Sequence, residues 1–250
     1  MIPSSSVLNW VKLLLTQHRK KNHPYRTVAA PCVHWLNNSN KVSEFDAGCR
    51  LCPRLASFID QIKLENSDYF SAPVPAFGDL NPKLLIVGLA PGLHGANKTG
   101  RPFTGDASGL LLYQTLFDLG LASAPVSTSV DDGLILHGVR ITNAVKCLPP
   151  QNAPTSTEIK NCLPYLNDEI KRLPASCKLL ALGKLAHDAI QRAYGLKLST
   201  LKFAHGAQHE LPDGRTLIDS YHCSRYNTQT RRLTADMFKH IITQATSTTS

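Results

Sequence analysis

Four short apolar runs punctuate the chain, at residues 83–89, 139–145, 178–182 and 216–220. Each is bounded by turn residues and reads as a buried strand. Between and after them, residues 108–119, 157–173, 184–194 and 230–243 carry apolar positions at helical spacing. Ser156 and Thr157 followed by Glu158 supply a helix start, while Gly183 and Gly195 act as punctuation. Strands alternating with helices predict an α/β fold: a single domain with a mainly parallel four-stranded central sheet flanked by helices. The expected organisation is an N-terminal helix and irregular extension over residues 1–45, a globular domain over 46–245 and a disordered tail over 246–250. Residues 65–80 lack periodicity and read as an irregular connection.

In parallel α/β sheets ligands sit beyond the carboxyl ends of the strands. Three chemically distinctive loops fall there: residues 88–109, 143–150 and 221–234. The first, GLAPGLHGANKTGRPFTGDASG, holds six glycines, two prolines and a single acid, Asp106. Its glycines are not in G-x-G-x-x-G spacing and no G-K-S/T follows, so no nucleotide cofactor is expected.

Composition narrows the partner. With 250 residues, 42% of them apolar, the chain can bury a substantial core. Lys and Arg exceed Asp and Glu by 27 − 18 = 9, which favours a polyanionic partner. The N-terminal stretch MIPSSSVLNWVKLLLTQHRKK lacks a basic region ahead of its apolar part and reads as an amphipathic helix rather than an export signal. No apolar run approaches the roughly 20 residues of a membrane span, so a cytoplasmic protein with no membrane partner is expected. Seven cysteines, an odd number, argue against a full disulfide framework and for metal binding. Cys49 and Cys52 form C-x-x-C, and Cys147 and Cys162 complete a set of four. By spacing alone these thiols suit zinc at least as well as an iron–sulfur cluster.

The first loop, together with TNAVKCLPP and HCSRYNTQTRRLT, resembles the motif set of the uracil-DNA glycosylase superfamily, and most closely its family 5, near the iron–sulfur family 4. The matching blocks span roughly residues 49–234 in family order, and Leu89 favours family 5 because family 4 usually carries Glu there. The resemblance implies an α/β glycosylase fold over residues 46–245 and a [4Fe-4S] cluster held by Cys49, Cys52, Cys147 and Cys162. It also implies a monomer acting on double-stranded DNA, associated with the nucleoid, that excises uracil and other deaminated bases such as hypoxanthine.

Residue chemistry agrees with that reading. An enzyme that acts on a base takes it out of the stack and holds it in a snug pocket read by hydrogen bonds. By resemblance Phe103 stacks on the extruded base, Asn143 reads its polar edge, and Ala90 and Gly92 line the pocket. The alternatives are a core Phe and a turn-forming Asn. Uracil offers an N–H beside a carbonyl, which a carboxamide matches with its own acceptor and donor. His222 resembles the histidine that stabilises negative charge developing on the leaving base, with His94 as a second contact.

The water activator is open at this level. Family 5 lacks the acid or amide that other families place at Ala90. Asp106 can orient or deprotonate water, or simply cap the helix near Ser108. Asn97 can position water without taking its proton. In the last loop Ser224, Arg225, Tyr226, Asn227 and Arg231 suit contacts to DNA, Tyr226 as the wedge entering the gap left by the flipped nucleotide. Cys223 stands where relatives usually have Pro, and Lys98 where they have Arg. No lysine stands in a motif position suited to imine chemistry, so hydrolysis without strand cleavage is expected. A noncatalytic iron–sulfur or zinc DNA binder would retain the charge and cysteines but would not need Phe103, Asn143 and His222 together.

Overall fold

The computed structural model describes residues 45–247. The expected N-terminal extension, with Cys32, lies outside the described residues, as does the tail from residue 248. The apolar runs form four parallel strands: β2 (Leu84–Gly88), β3 (Val139–Asn143), β4 (Lys178–Leu182) and β6 (Thr216–Ser220). They are nearly continuous in Leu, Ile and Val because helices cover both faces.

The sheet is nevertheless six-stranded and mixed, not four-stranded. Its order is β1-β3-β2-β4-β6-β5, with β1 (Phe77–Gly78) and β5 (Gln208–Glu210) antiparallel at the edges. These additions are two and three residues long, and β5 reads Gln-His-Glu, so neither carries a hydrophobic pattern. Pairing with a neighbour defines them rather than composition.

Alternation along each strand divides the core into two layers. Leu84, Ile86, Leu180 and Ile218 face one layer with Leu112, Tyr113 and Leu116 of α3 (Ala107–Asp118) and Phe238 and Ile242 of α7 (Ala235–Thr246). Leu85, Val87, Leu179 and Leu217 face the other. There they meet Leu55 of α1 (Pro53–Glu65), Leu166 of α4 (Ser156–Arg172) and Ile190 of α5 (Lys184–Ala193).

Three local readings change. The helix expected over 157–173 is capped one residue earlier than Ser156: Thr155 accepts from Glu158 N, and the Glu158 side chain returns to the Thr155 backbone. The helix expected over 230–243 starts later, at α7 behind its cap Thr234, and a separate short helix, α6 (Arg225–Gln229), precedes it and ends before Arg231, which has φ +56°. The remaining short helix, α2 (Ala96–Thr99), interrupts the glycine-rich loop. Helix α1 escaped the sequence reading, although Pro53 at its first turn and buried Leu55, Ile59 and Ile62 mark it.

Candidate active site

The parallel strands deliver the three distinctive loops to one edge. Register pairs Gly88 with Asn143, and the pairing continues as Ala144 and Val145 donate to the carbonyls of Gly88 and Leu89. Asn143 therefore lies over Gly88, where a Cβ would sit 2.4 Å from Asn143 Oδ1 and 2.6 Å from Phe103 Cζ. No larger residue fits between them.

Phe103 itself has φ +55°, a left-handed conformation rarely adopted by an aromatic residue. Several contacts hold it there. Its carbonyl lies 1.7 Å from where a Cβ on Gly109 would be, so Gly109 has to be glycine. Tyr113 Oη donates to Pro102 O at 2.7 Å, and the Thr104 and Ser127 hydroxyls meet at 2.7 Å. The buried Arg101 donates to Asp132 at 2.6 Å, Ser127 at 2.9 Å and Val130 O at 2.6 Å. Such strain persists only where surroundings over-determine it, and it clusters at functional sites.

These elements enclose a cavity of about 530 Å³ lined by Ala90, Gly92, His94, Phe103, Asp106, Asn143, His222, Ser224 and Arg225, among others. That volume is typical of a small-molecule site. The rings of Phe103 and His222 lie 27° from parallel with centroids 6.0 Å apart. Burial lowers the His222 pKa and Asp106 only partly opposes it, so the imidazole is neutral near pH 7. A neutral ring carries one N–H and can donate it.

Asp106 serves two purposes. It is the N-cap of α3, accepting from Gly109 N at 2.9 Å, and it also lines the cavity. Its Oδ2 lies 2.5 Å from where a Cβ on Gly95 would be, which explains a second glycine. The capping and cavity-facing readings of Asp106 are thus compatible.

Asn97 is not among the lining residues. It is fully buried, its Nδ2 donates to Ser71 Oγ at 3.4 Å, and its Oδ1 has no protein donor among the described residues. A buried acceptor of that kind is normally satisfied by water or a ligand.

The last loop divides. Ser224 and Arg225 line the cavity, whereas Tyr226, Asn227 and Arg231 do not. Ser224 caps α6, and Asn227 Nδ2 donates to His222 O at 2.8 Å, steadying the histidine's backbone. Tyr226 projects with 71% of its surface exposed. Cys223 is fully buried in the core layer beneath α3 and α7. Burial pushes its thiol pKa up, so it packs as a small neutral hydrophobe.

Asn152 lines the cavity without having been expected. It follows the Pro149-Pro150 pair and has φ +55°, a conformation that Asn tolerates. Arg54, paired with Glu158 at 2.7 Å, also donates to Ala153 O at 3.1 Å and clamps this turn. Tyr69 was missed too; its hydroxyl meets His94 Nδ1 at 2.7 Å and fixes the ring that faces the cavity.

Cys49, Cys52, Cys147 and Cys162 surround one small cavity with Leu55, Asn161 and Tyr165. Burial pushes Cys147 up to about 12 and Cys162 up to about 11, and the neighbouring cysteines reinforce both. Lys146 N points at Cys162 Sγ from 3.3 Å and Asn161 Nδ2 at Cys52 Sγ from 3.5 Å, donors suited to thiolate sulfur.

His187, Asp219 and His209 form a triad, the first two fully buried and His209 partly so. His187 Nδ1 lies 2.7 Å from Asp219 Oδ1 and its Nε2 lies 3.1 Å from Leu201 O. His209 Nε2 lies 3.2 Å from Asp219 Oδ2. Both nitrogens of His187 face acceptors, an arrangement that favours the protonated ring. Burial works against that charge, but Asp219 outweighs it and the His187 pKa is raised.

Residues 75–246 match the Uracil DNA glycosylase superfamily, and the chain belongs to that family. Within it the chain is 46% identical over 202 residues to the type-5 uracil-DNA glycosylase of Thermus thermophilus, covering 79% of this chain and 92% of the relative. It is 42% identical to the type-5 uracil-DNA glycosylase of Pyrobaculum aerophilum over 79% of this chain and 87% of that protein. A type-4 uracil-DNA glycosylase of the latter organism is 35% identical over 53% of this chain and 60% of its own length.

Proposed function

We propose that this protein is a monofunctional uracil-DNA glycosylase that hydrolyses the N-glycosidic bond of an extruded uracil in double-stranded DNA. The observation that carries the reading is the single cavity into which Phe103, Asn143 and His222 converge from three separate loops. Family membership and the relatives' names supply the base.

Uracil enters against the Phe103 ring, and the Asn143 carboxamide matches its carbonyl and N–H. As the bond to C1′ lengthens, the sugar gains oxocarbenium character and the base gains negative charge. The neutral His222 donates a hydrogen bond from its ring N–H to the base oxygen and stabilises the charge that develops there. Water adds its hydroxyl to C1′, and Asp106 orients it and receives its proton. Uracil leaves as the anion, and the strand keeps an abasic sugar. Asn97 contributes from behind the loop through its unpaired Oδ1, which suits an ordered water rather than the reacting one. Ser224, Arg225 and Arg231 contact the DNA backbone, and the exposed Tyr226 occupies the gap left by the base.

The four cysteines fit a [4Fe-4S] cluster better than zinc. A zinc–sulfur bond of about 2.3 Å sets tetrahedral sulfur atoms about 3.8 Å apart. Among the described residues the one group of three ligand atoms close enough to share a single ion is His187, His209 and Asp219, and the four cysteines are not such a group. A larger cluster accepts wider spacing, and its iron offsets the cost of burying four thiolates. When bound it supplies structural cross-linking: Cys49 and Cys52 precede α1, Cys162 lies in α4, and Cys147 leads into the turn bearing Asn152.

A labelled duplex with a single U·G pair tests the assignment. Alkali-labile product is expected from that duplex, none from the matching C·G duplex, and no strand break before alkali. Absence of product from uracil, or breakage without alkali, overturns it. A hypoxanthine duplex assayed alongside defines the range.

A further inference from the structure

The outer wall of the Phe103 loop forms a second hollow, of about 560 Å³, that touches the base cavity through Asp106, Ala107 and Arg225. Its floor is apolar and open: Leu110 is 57% and Val126 42% exposed. Beside them stand Gly105 and Ala107, which add no bulk. Arg225 is its cationic edge.

The floor is also rigid. Val126 precedes Ser127, which accepts from Arg101, and Thr128 N donates to Asp132 Oδ2 at 2.8 Å. The buried Arg101–Asp132 pair therefore anchors both this wall and the strained turn that carries Phe103. The exposed aliphatic pair, Leu110 on helix α3 and Val126 on the loop that Arg101 and Asp132 anchor, is thus held fixed beside the catalytic cavity.

We propose that this hollow is a subsite for the nucleotide next to the extruded one, its base resting on Leu110 and Val126 and its phosphate on Arg225. The inference rests on the glycosylase reading. Continuity with the base cavity places the neighbouring nucleotide within reach, the apolar floor suits the face of a base, and the guanidinium suits phosphate. Extrusion of one nucleotide loosens its neighbour on that side; Tyr226 fills the gap within the duplex, and the shelf supports the neighbour from the protein side. The subsite holds the strand in register and takes no part in bond cleavage.

Leu110→Ser and Val126→Ser test it, because both side chains are exposed and the substitutions leave the core intact. Excision is measured on a uracil duplex carrying a tetrahydrofuran spacer directly 5′ or directly 3′ of uracil, or two positions away. In the wild type a spacer on one side raises KM about fivefold, equivalent to about 1 kcal/mol, with kcat unchanged. Each variant shows the same rise on the unmodified duplex and no further rise with that spacer. Variants indistinguishable from wild type, or variant and spacer effects that multiply, overturn the subsite while uracil excision stands. Failure of the wild type to excise uracil at all overturns the glycosylase reading and the subsite with it.

Discussion

The Phe103 and His222 rings face each other at 6.0 Å from widely separated parts of the sequence, one carried by a backbone at φ +55° and the other by the loop after the last strand. Gly88 lies between Phe103 and Asn143, and its missing side chain is what lets the two approach. Gly88→Ala drives a methyl into both. Excision is expected to fall at least about 100-fold, since misplacement of about 1 Å at a site costs that much. Single-turnover assays check this, with circular dichroism showing that the fold survives.

Asp106 allows its two jobs to be separated. Asp106→Asn retains a good cap and loses the proton acceptor, so stability should hold while excision slows. Asp106→Ala loses the cap as well and should cost about 0.5–2 kcal/mol. Paired unfolding and rate measurements check the split; an Asn variant as active as wild type removes Asp106 from water activation.

Cys147→Ser should abolish retention of iron, which in the wild type should approach about four atoms per chain. Metal analysis and visible absorbance check this. Loss should also lower the unfolding midpoint, because α1, α4 and the Asn152 turn lose their common anchor. Zinc at one atom per chain, with no iron, would reverse the cluster assignment.

The triad carries a pH signature. His187 has a folded pKa above its unfolded value of about 6.5, so the folded state holds its proton more tightly. Its stabilisation is fully present below about pH 6.5 and disappears as pH rises through the raised folded value. His187→Gln should therefore differ from wild type most at low pH, with the gap closing on the alkaline side. Asp219→Asn strips the buried imidazolium of its partner and should cost about 3–5 kcal/mol. Thermal midpoints across pH 5–9 check both.

The four parallel strands and the loops after them were legible because buried Leu, Ile and Val runs such as LLIVG carry an unmistakable signal. That Phe103, Asn143, His222 and Asp106 would meet at one cavity was legible through the motifs around them. Residues placed by tertiary contact were not. Asn152 lies in a proline turn with no pattern, and Tyr69 reaches His94 from a stretch without periodicity. Edge strands β1 and β5 are too short for alternation to register. Asn97 shows the converse limit: its motif marks it as polar and important, yet its position in α2 buries it behind the loop rather than in the cavity.

The central claim is that His222 stabilises charge on a departing uracil. The most direct measurement is the single-turnover rate of excision from a U·G duplex for wild type and His222→Ala, with duplex affinity measured in parallel. Loss of one such donor should slow excision about 100- to 1,000-fold while affinity stays within severalfold. An unchanged rate, or a loss matched wholly by weaker binding, would contradict it.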